Sequence, residues 1–177
     1  MSANNPQDLG NAPAAPGSRP ISPVARRPDT HALLDAGCEH EEAGRLQEAI
    51  RCYRRVLRHD GRSAAGFFNL GNTLYQTGRR SEAIDCFRQV VQINVAWPEA
   101  WNNLGVVLCE LQQCHEAEFA LQKSLALAPW FADAFYNLAD CYDERGQTDQ
   151  ATKYWQEYLQ RDATSSWAQY ARARLSG

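Results

Sequence analysis

The chain has 177 residues, 18 of them Lys or Arg and 21 Asp or Glu, for a net charge of −3. That length suits one domain of ordinary size or two very small ones, and the lack of a basic surplus argues against a general nucleic-acid binder. Apolar residues make up 44 % of the chain, an ordinary globular proportion, yet no apolar run approaches the roughly 18 residues of a membrane span.

Residues 1–29 hold Pro6, Pro13, Pro16, Pro20, Pro23 and Pro28 among Asn, Ala, Gly and Ser, with no apolar period. Such a segment buries too little surface to offset its ordering entropy, so a disordered tail is expected. Arg19-Pro20-Ile21-Ser22-Pro23 and Arg26-Arg27-Pro28 place a PxxP spacing beside basic residues, a pattern that short proline-rich stretches often carry without use. The segment has no apolar h-region of a secretory signal, and the expected location is cytoplasmic. Six cysteines (Cys38, Cys52, Cys86, Cys109, Cys114, Cys141) form no CxxC pair and read as small packing residues.

From residue 30 the composition changes and a 34-residue step emerges. It carries Gly37 to Gly71, Gly105 and Ala139, and Ala49 to Ala83, Ala117 and Ala151. Small residues recur at Ala32, Gly66, Ala100 and Ala134. Bulky ones follow one place later at Leu33, Phe67, Trp101 and Phe135, and again at Tyr53, Phe87, Leu121 and Trp155. Gly44, Gly78 and Gly146 mark a break within each unit, with Gln112 as the departure. Each unit contains two stretches with apolar or small residues at i, i+3, i+4 and i+7, such as Trp101, Leu104, Gly105 and Leu108, so two helices per unit are predicted. The glycine between them suits a helix C-cap with positive φ. A glycine inside a helix costs roughly 1 kcal/mol against alanine. Its return at 37, 71 and 105 is expected to leave room for the alanine of the second helix. The units run 30–63, 64–97, 98–131 and 132–165. A helix over 166–177, capped by Ser165 or Ser166, closes the stack with Trp167, Ala171 and Leu175 on one face. Both ends look finished, so the array is expected to be a whole domain.

This pattern resembles the tetratricopeptide repeat (TPR), W-x₂-L-G-x₂-Y…A-x₃-F…P. The third unit carries it as Trp101, Leu104, Gly105, Leu108, Ala117, Leu121 and Pro129. The second and fourth lack the proline, and the first has Ala36 and His40 where Leu and Tyr are usual. The resemblance implies an all-α, right-handed α-solenoid of stacked helix-turn-helix hairpins, with first helices lining a concave groove. It also implies a non-enzymatic scaffold that binds a protein or peptide segment there, without a cofactor.

On that geometry the first helices are strongly acidic, with Asp35, Glu39, Glu41, Glu42, Glu99, Glu110, Asp133, Asp140, Asp143 and Glu144 against Arg145. An acidic groove favours basic ligands and repels phosphates, so no nucleic acid and no membrane partner is expected. The sixth position of each unit reads Asp35, Asn69, Asn103 and Asn137, with Asn72 nearby. Side-chain amides both donate and accept, and a row of them can grip an extended backbone, as in the asparagine ladder known from TPR superhelices such as that of O-linked N-acetylglucosamine transferase. Phe68 and Tyr136, in the same column two units apart, are expected to supply apolar contacts. Asp140, Asp143 and Glu144 are expected to select basic side chains. The chaperone-tail clamp of co-chaperone TPR domains is not expected. Its places hold Leu34, Cys38, Asn69, Glu99 and Asn103, and Glu99 would repel a carboxylate. No GxxxxGK[ST], GxGxxG or GxSxG is present, and His115-Glu116 lacks the second histidine of HExxH, so neither catalysis nor a metal site is expected. The arginines of 45–62 make a basic stripe on the second helix of the first unit. The alternative readings are a protomer that self-associates weakly through its ends or opposed charges, and the accessory subunit of a separate enzyme complex.

Overall fold

The computed structural model describes residues 29–176, so the expected tail lies almost wholly outside the described residues. Among them are nine α-helices and no strand: α1 (Thr30–Glu42), α2 (Leu46–His59), α3 (Ala64–Gln76), α4 (Arg80–Ile93), α5 (Pro98–Glu110), α6 (Cys114–Leu127), α7 (Ala132–Glu144), α8 (Thr148–Arg161) and α9 (Ser166–Ser176). The chain is an all-α solenoid of antiparallel hairpins, α1 with α2 through α7 with α8, each packed on the next.

Local chemistry sets the helix starts. Asp29 Oδ1 accepts from the His31 amide at 2.9 Å, Ser63 Oγ from Gly66 at 3.1 Å and Ser165 Oγ from Ala168 at 3.1 Å, each satisfying an orphan donor of a first turn. Pro98 opens α5, where its missing N–H costs nothing. The turns inside the hairpins need a left-handed residue, which Gly44, Gly78 and Gly146 provide at φ of 70°, 77° and 67°. Gln112 adopts the same region at φ 58°, so the repeat geometry overrides its side chain's preference. Gln112→Gly is therefore expected to raise stability by about 1 kcal/mol, read as a higher denaturant midpoint at unchanged m-value.

The second-helix alanines Ala49, Ala83, Ala117 and Ala151 are fully buried, as are Tyr53, Phe87, Leu121 and Trp155. The helical glycines make room for this second set and not, as the sequence suggested, chiefly for the alanines. A Cβ on Gly37 would lie 2.3 Å from Tyr53 Cε1, one on Gly71 2.8 Å from Phe87 Cε1, and one on Gly105 2.6 Å from Leu121 Cγ. The ring or branched chain one turn beyond the alanine reaches across the hairpin and seats on the bare backbone.

Consecutive first helices touch one another (α1 with α3, α5 with α7) and form the inner row. On the outer row, Arg54 reaches Glu82 at 3.3 Å and Arg88 reaches Glu116 at 2.7 Å, joining α2 to α4 and α4 to α6. These exposed pairs contribute little individually. The basic stripe on α2 is partly engaged: Arg51 pairs with Glu48 at 3.0 Å, and Arg45 Nε donates to His40 Nδ1 at 2.9 Å. Cys86, Cys109 and Cys141 are buried packing residues, whereas Cys38 is exposed. Helix α9 packs through Ala168 and Ala171, with Leu175 partly buried. Trp167 is 60 % exposed, so the expected Trp167–Ala171–Leu175 face is rotated by one residue toward Ala168.

Candidate functional site

The inner row brings four asparagines into one hydrogen-bonded chain. Asn137 Nδ2 donates to Asn102 Oδ1 at 2.9 Å, Asn102 Nδ2 to Asn103 Oδ1 at 3.2 Å, and Asn103 Nδ2 to Asn72 Oδ1 at 2.9 Å. This amide relay crosses from α7 through α5 to α3. Asn72, Asn103 and Asn137 are half-buried and are joined by these bonds through Asn102. Asn69 lies outside the relay, its amide nearest Cys38 Sγ at 3.8 Å. The link that joins the others, Asn102, is 5 % exposed and escaped the sequence reading. It occupies the column of Leu34, Phe68 and Tyr136, and a polar residue in an otherwise apolar column was the available signal. Because each amide uses one donor on the next, the relay presents open groups at its ends. Among the described residues, nothing donates to Asn137 Oδ1 and nothing accepts from Asn72 Nδ2. Asn102→Ala is expected to cost about 1 kcal/mol, since its partners are half-exposed and can rehydrate. Asn69→Ala should leave stability within about 0.5 kcal/mol of wild type. Paired urea melts check both.

Further side-chain bonds tie the inner helices together. Glu41 accepts from the Tyr53 hydroxyl at 2.5 Å and from Thr73 Oγ1 at 2.7 Å, linking α1 to α2 and α3. Glu110 receives both the Tyr75 hydroxyl and Arg80 Nε, and desolvation, aided by that carboxylate, pushes the Tyr75 phenol up to about 12. Glu118 takes the Tyr142 hydroxyl at 2.6 Å and Arg145 at 3.2 Å. Two of the acids counted toward an acidic groove, Glu41 and Glu110, thus bind neighbouring helices, while Glu118 acts from α6.

Phe68 is half-buried, stacked on Trp97 with centroids 4.7 Å apart and edge-on to Phe87 at 6.1 Å. Tyr136 meets Trp155 at 5.0 Å, and Tyr158 and Trp167 each at 5.3 Å, all near-perpendicular, with Tyr170 at 6.1 Å. Both rings are inter-helix packing elements as well as inner-face residues, and desolvation, then the nearby Asp140 carboxylate, pushes the Tyr136 phenol up to about 12.

The three carboxylates expected to select basic groups stand differently. Asp143 receives Arg174 Nε at 2.6 Å and Trp155 Nε1 at 3.3 Å, and these bonds hold it below the usual carboxylate range. Glu144 is exposed and, among the described residues, accepts a side-chain hydrogen bond from Cys109 Sγ alone, at 3.9 Å. Asp140 is half-buried and, among the described residues, accepts no side-chain hydrogen bond. Desolvation, then Glu144 and Asp143, raise its pKa against the pull of Arg174. A carboxyl whose folded pKa lies above its unfolded value costs stability while ionised and is relieved as pH falls through that folded pKa. Asp140→Asn is therefore expected to melt higher than wild type at pH 7, the gap closing as pH is lowered through the Asp140 titration.

Among the described residues no group of three His, Cys, Asp or Glu side chains gathers as for a metal ion, and no helix is long and apolar enough to cross a membrane. Sequence models described as tetratricopeptide repeat match residues 34–100 and 110–175, spanning the hairpins just described. The chain belongs to the tetratricopeptide repeat family. No curated protein matches it significantly. Among solved structures, this TPR chain is similar to a MamA protein at 26 % identity and a TM-score of 0.73, over 83 % of this chain and 82 % of that one. It is also similar to MamA 41-end from Desulfovibrio magneticus RS-1 (19 % identity, TM-score 0.73, 86 % and 93 % covered). YrrB, described as a TPR protein with an unusual peptide-binding site, gives 20 % identity and a TM-score of 0.70 over 84 % and 78 %. These likenesses support the TPR solenoid fold.

Proposed function

We propose that this TPR chain is a non-enzymatic, cytoplasmic interaction scaffold that holds an extended, basic segment of a partner protein along its inner face. The observation that carries the reading is the amide relay Asn137–Asn102–Asn103–Asn72. It fixes three half-buried amides in line across three first helices and leaves an acceptor open at one end and donors at the other. Preorganised amides lose little side-chain entropy when a peptide backbone arrives. Asp140, Glu144 and Asp133 set the sign of the ligand, and Phe68 and Tyr136 border the line. A peptide-binding site is described for YrrB, and the first TPR of Spaghetti (RPAP3) is described as bound to the HSP90 peptide SRMEEVD. An acidic tail of that kind is disfavoured here, because Glu99 stands where a clamp needs a cation.

The test pans a random 12-residue peptide display library on the wild type and on Asn72→Ala/Asn103→Ala/Asn137→Ala, with circular dichroism confirming that both fold. Enrichment of Arg- or Lys-bearing peptides whose affinity falls at least tenfold in the variant is expected. Enrichment of acidic peptides, or equal binding to both proteins, would overturn the reading.

A further inference from the structure

Where α7, α8 and α9 meet, a cavity of about 270 Å³ is lined by Asn102, Asp133, Tyr136, Asn137, Tyr158 and Trp167. Two of its rings, Tyr158 and Trp167, stand at 75° and 72° to Tyr136, both with centroids 5.3 Å from it. Three aromatic rings thus wall the cavity together. The face of an aromatic ring carries negative potential and attracts a cation within about 6 Å. Asp133, in the first turn of α7, adds an exposed carboxylate that, among the described residues, forms no salt bridge. Asn137, at the open acceptor end of the relay, lines the same cavity. Aromatic rings, a carboxylate and an amide oxygen can each accept positive charge, and among the described residues no cationic side chain lines the cavity to hold an anion.

The neighbouring rings show what this chain does with such faces. Arg161 lies 3.8 Å from the centre of Phe135, Arg145 5.8 Å from Tyr142, and Lys153 5.6 Å from Tyr154. Among the described residues no Lys or Arg covers Tyr136, Tyr158 or Trp167. We infer that this cavity seats a cationic side chain, arginine or lysine, of the segment held on the inner face; the inference rests on the peptide-binding reading for the source of that side chain. A guanidinium would stack on the exposed Trp167 ring and direct its N–H groups to Asp133 and Asn137, whereas an ammonium would act as a point charge between them.

The experiment uses small probes, so the cavity is tested apart from the rest of the groove. In the ¹⁵N-labelled full chain, the Trp167 indole N–H resonance is assigned by its loss in Trp167→Phe. N-acetyl-arginine amide, N-acetyl-lysine amide and the neutral isostere N-acetyl-citrulline amide are then titrated separately. A saturable shift of that resonance with arginine or lysine amide, none with citrulline amide, and at least fivefold weaker binding in Asp133→Asn are expected. The cation that saturates at the lower concentration identifies the preferred residue. No saturable shift with either cation, an equal response to citrulline, or unchanged binding in Asp133→Asn would overturn the inference. Peptides that still lose affinity in the triple asparagine variant would then leave the groove reading standing. A clean cation response in a protein that enriches no peptide would overturn the groove and keep the cavity.

Discussion

Replacing Tyr136 with alanine is expected to lower stability by about 3 kcal/mol, the lower end for removing an aromatic side chain because the ring is only half-buried. Four rings from α8 and α9 converge on it: Trp155, Tyr158, Trp167 and Tyr170. No single partner replaces that contact, since α9 otherwise attaches through Ala168, Ala171 and Leu175, the Tyr170–Trp155 ring contact and the Arg174–Asp143 pair. Tyr136→Phe keeps the ring, and the hydroxyl forms no hydrogen bond among the described residues, so it should stay within about 0.5 kcal/mol of wild type. Guanidinium melts followed by far-ultraviolet circular dichroism and by tryptophan fluorescence separate the two variants. The fluorescence transition of Tyr136→Ala should precede the loss of helix, because α9 departs first. A Tyr136→Ala protein that melts like wild type would mean that the ring serves only a ligand.

Gly37→Ala is expected to cost about 2 kcal/mol net, although alanine is the better helix former by about 1 kcal/mol. The new Cβ would sit 2.3 Å from Tyr53 Cε1, far inside contact distance. Tyr53 has no room to withdraw. It is fully buried and its hydroxyl is anchored 2.5 Å from Glu41, which also binds Thr73 of the next hairpin. The same change at Gly105 meets Leu121 Cγ at 2.6 Å and the Ala117 carbonyl oxygen at 3.2 Å; the overlap is smaller and Leu121 has no polar anchor, so it should cost less. Urea midpoints of the two variants, measured together, decide the order. A stabilised Gly37→Ala would show that the ring can slide.

The contrast between these glycines shows where sequence reading succeeds and where it stops. A 34-residue column announces that a position must be small, because every hairpin meets the same steric demand. The column does not name the neighbour that imposes the demand, and Tyr53, Phe87 and Leu121 impose it here, each one turn past the conserved-looking alanine position. The turn columns were equally legible at Gly44, Gly78 and Gly146, whereas Gln112, read only as a departure, enters the same left-handed region without being glycine. Hydrogen-bond partners were not. Asn103 and Asn72 lie 31 residues apart, and Asn137 and Asn102 lie 35 apart. Neither separation equals the repeat, so no column search pairs them. The acids looked uniformly available in sequence, yet Asp143 is engaged by Arg174 from beyond the fourth hairpin while Asp140 on the same helix is not.

Among the described residues α9 has one hairpin to pack on, meeting α8 directly and α7 through Arg174 and through the Trp167 and Tyr170 rings on Tyr136. In a stack whose stability is a sum over nearest neighbours, an element with a single interface opens at the lowest free energy. Amide hydrogen exchange should therefore be fastest in α9 among the helices of the last two hairpins. Trp167 travels with that helix, so opening removes one wall of the cavity beside Asp133. Any occupant that needs Trp167 in place binds only the closed form, and mass action then makes binding and closure two readings of one equilibrium. An occupied array would exchange α9 more slowly, and that helix would report on whether the inner face is filled.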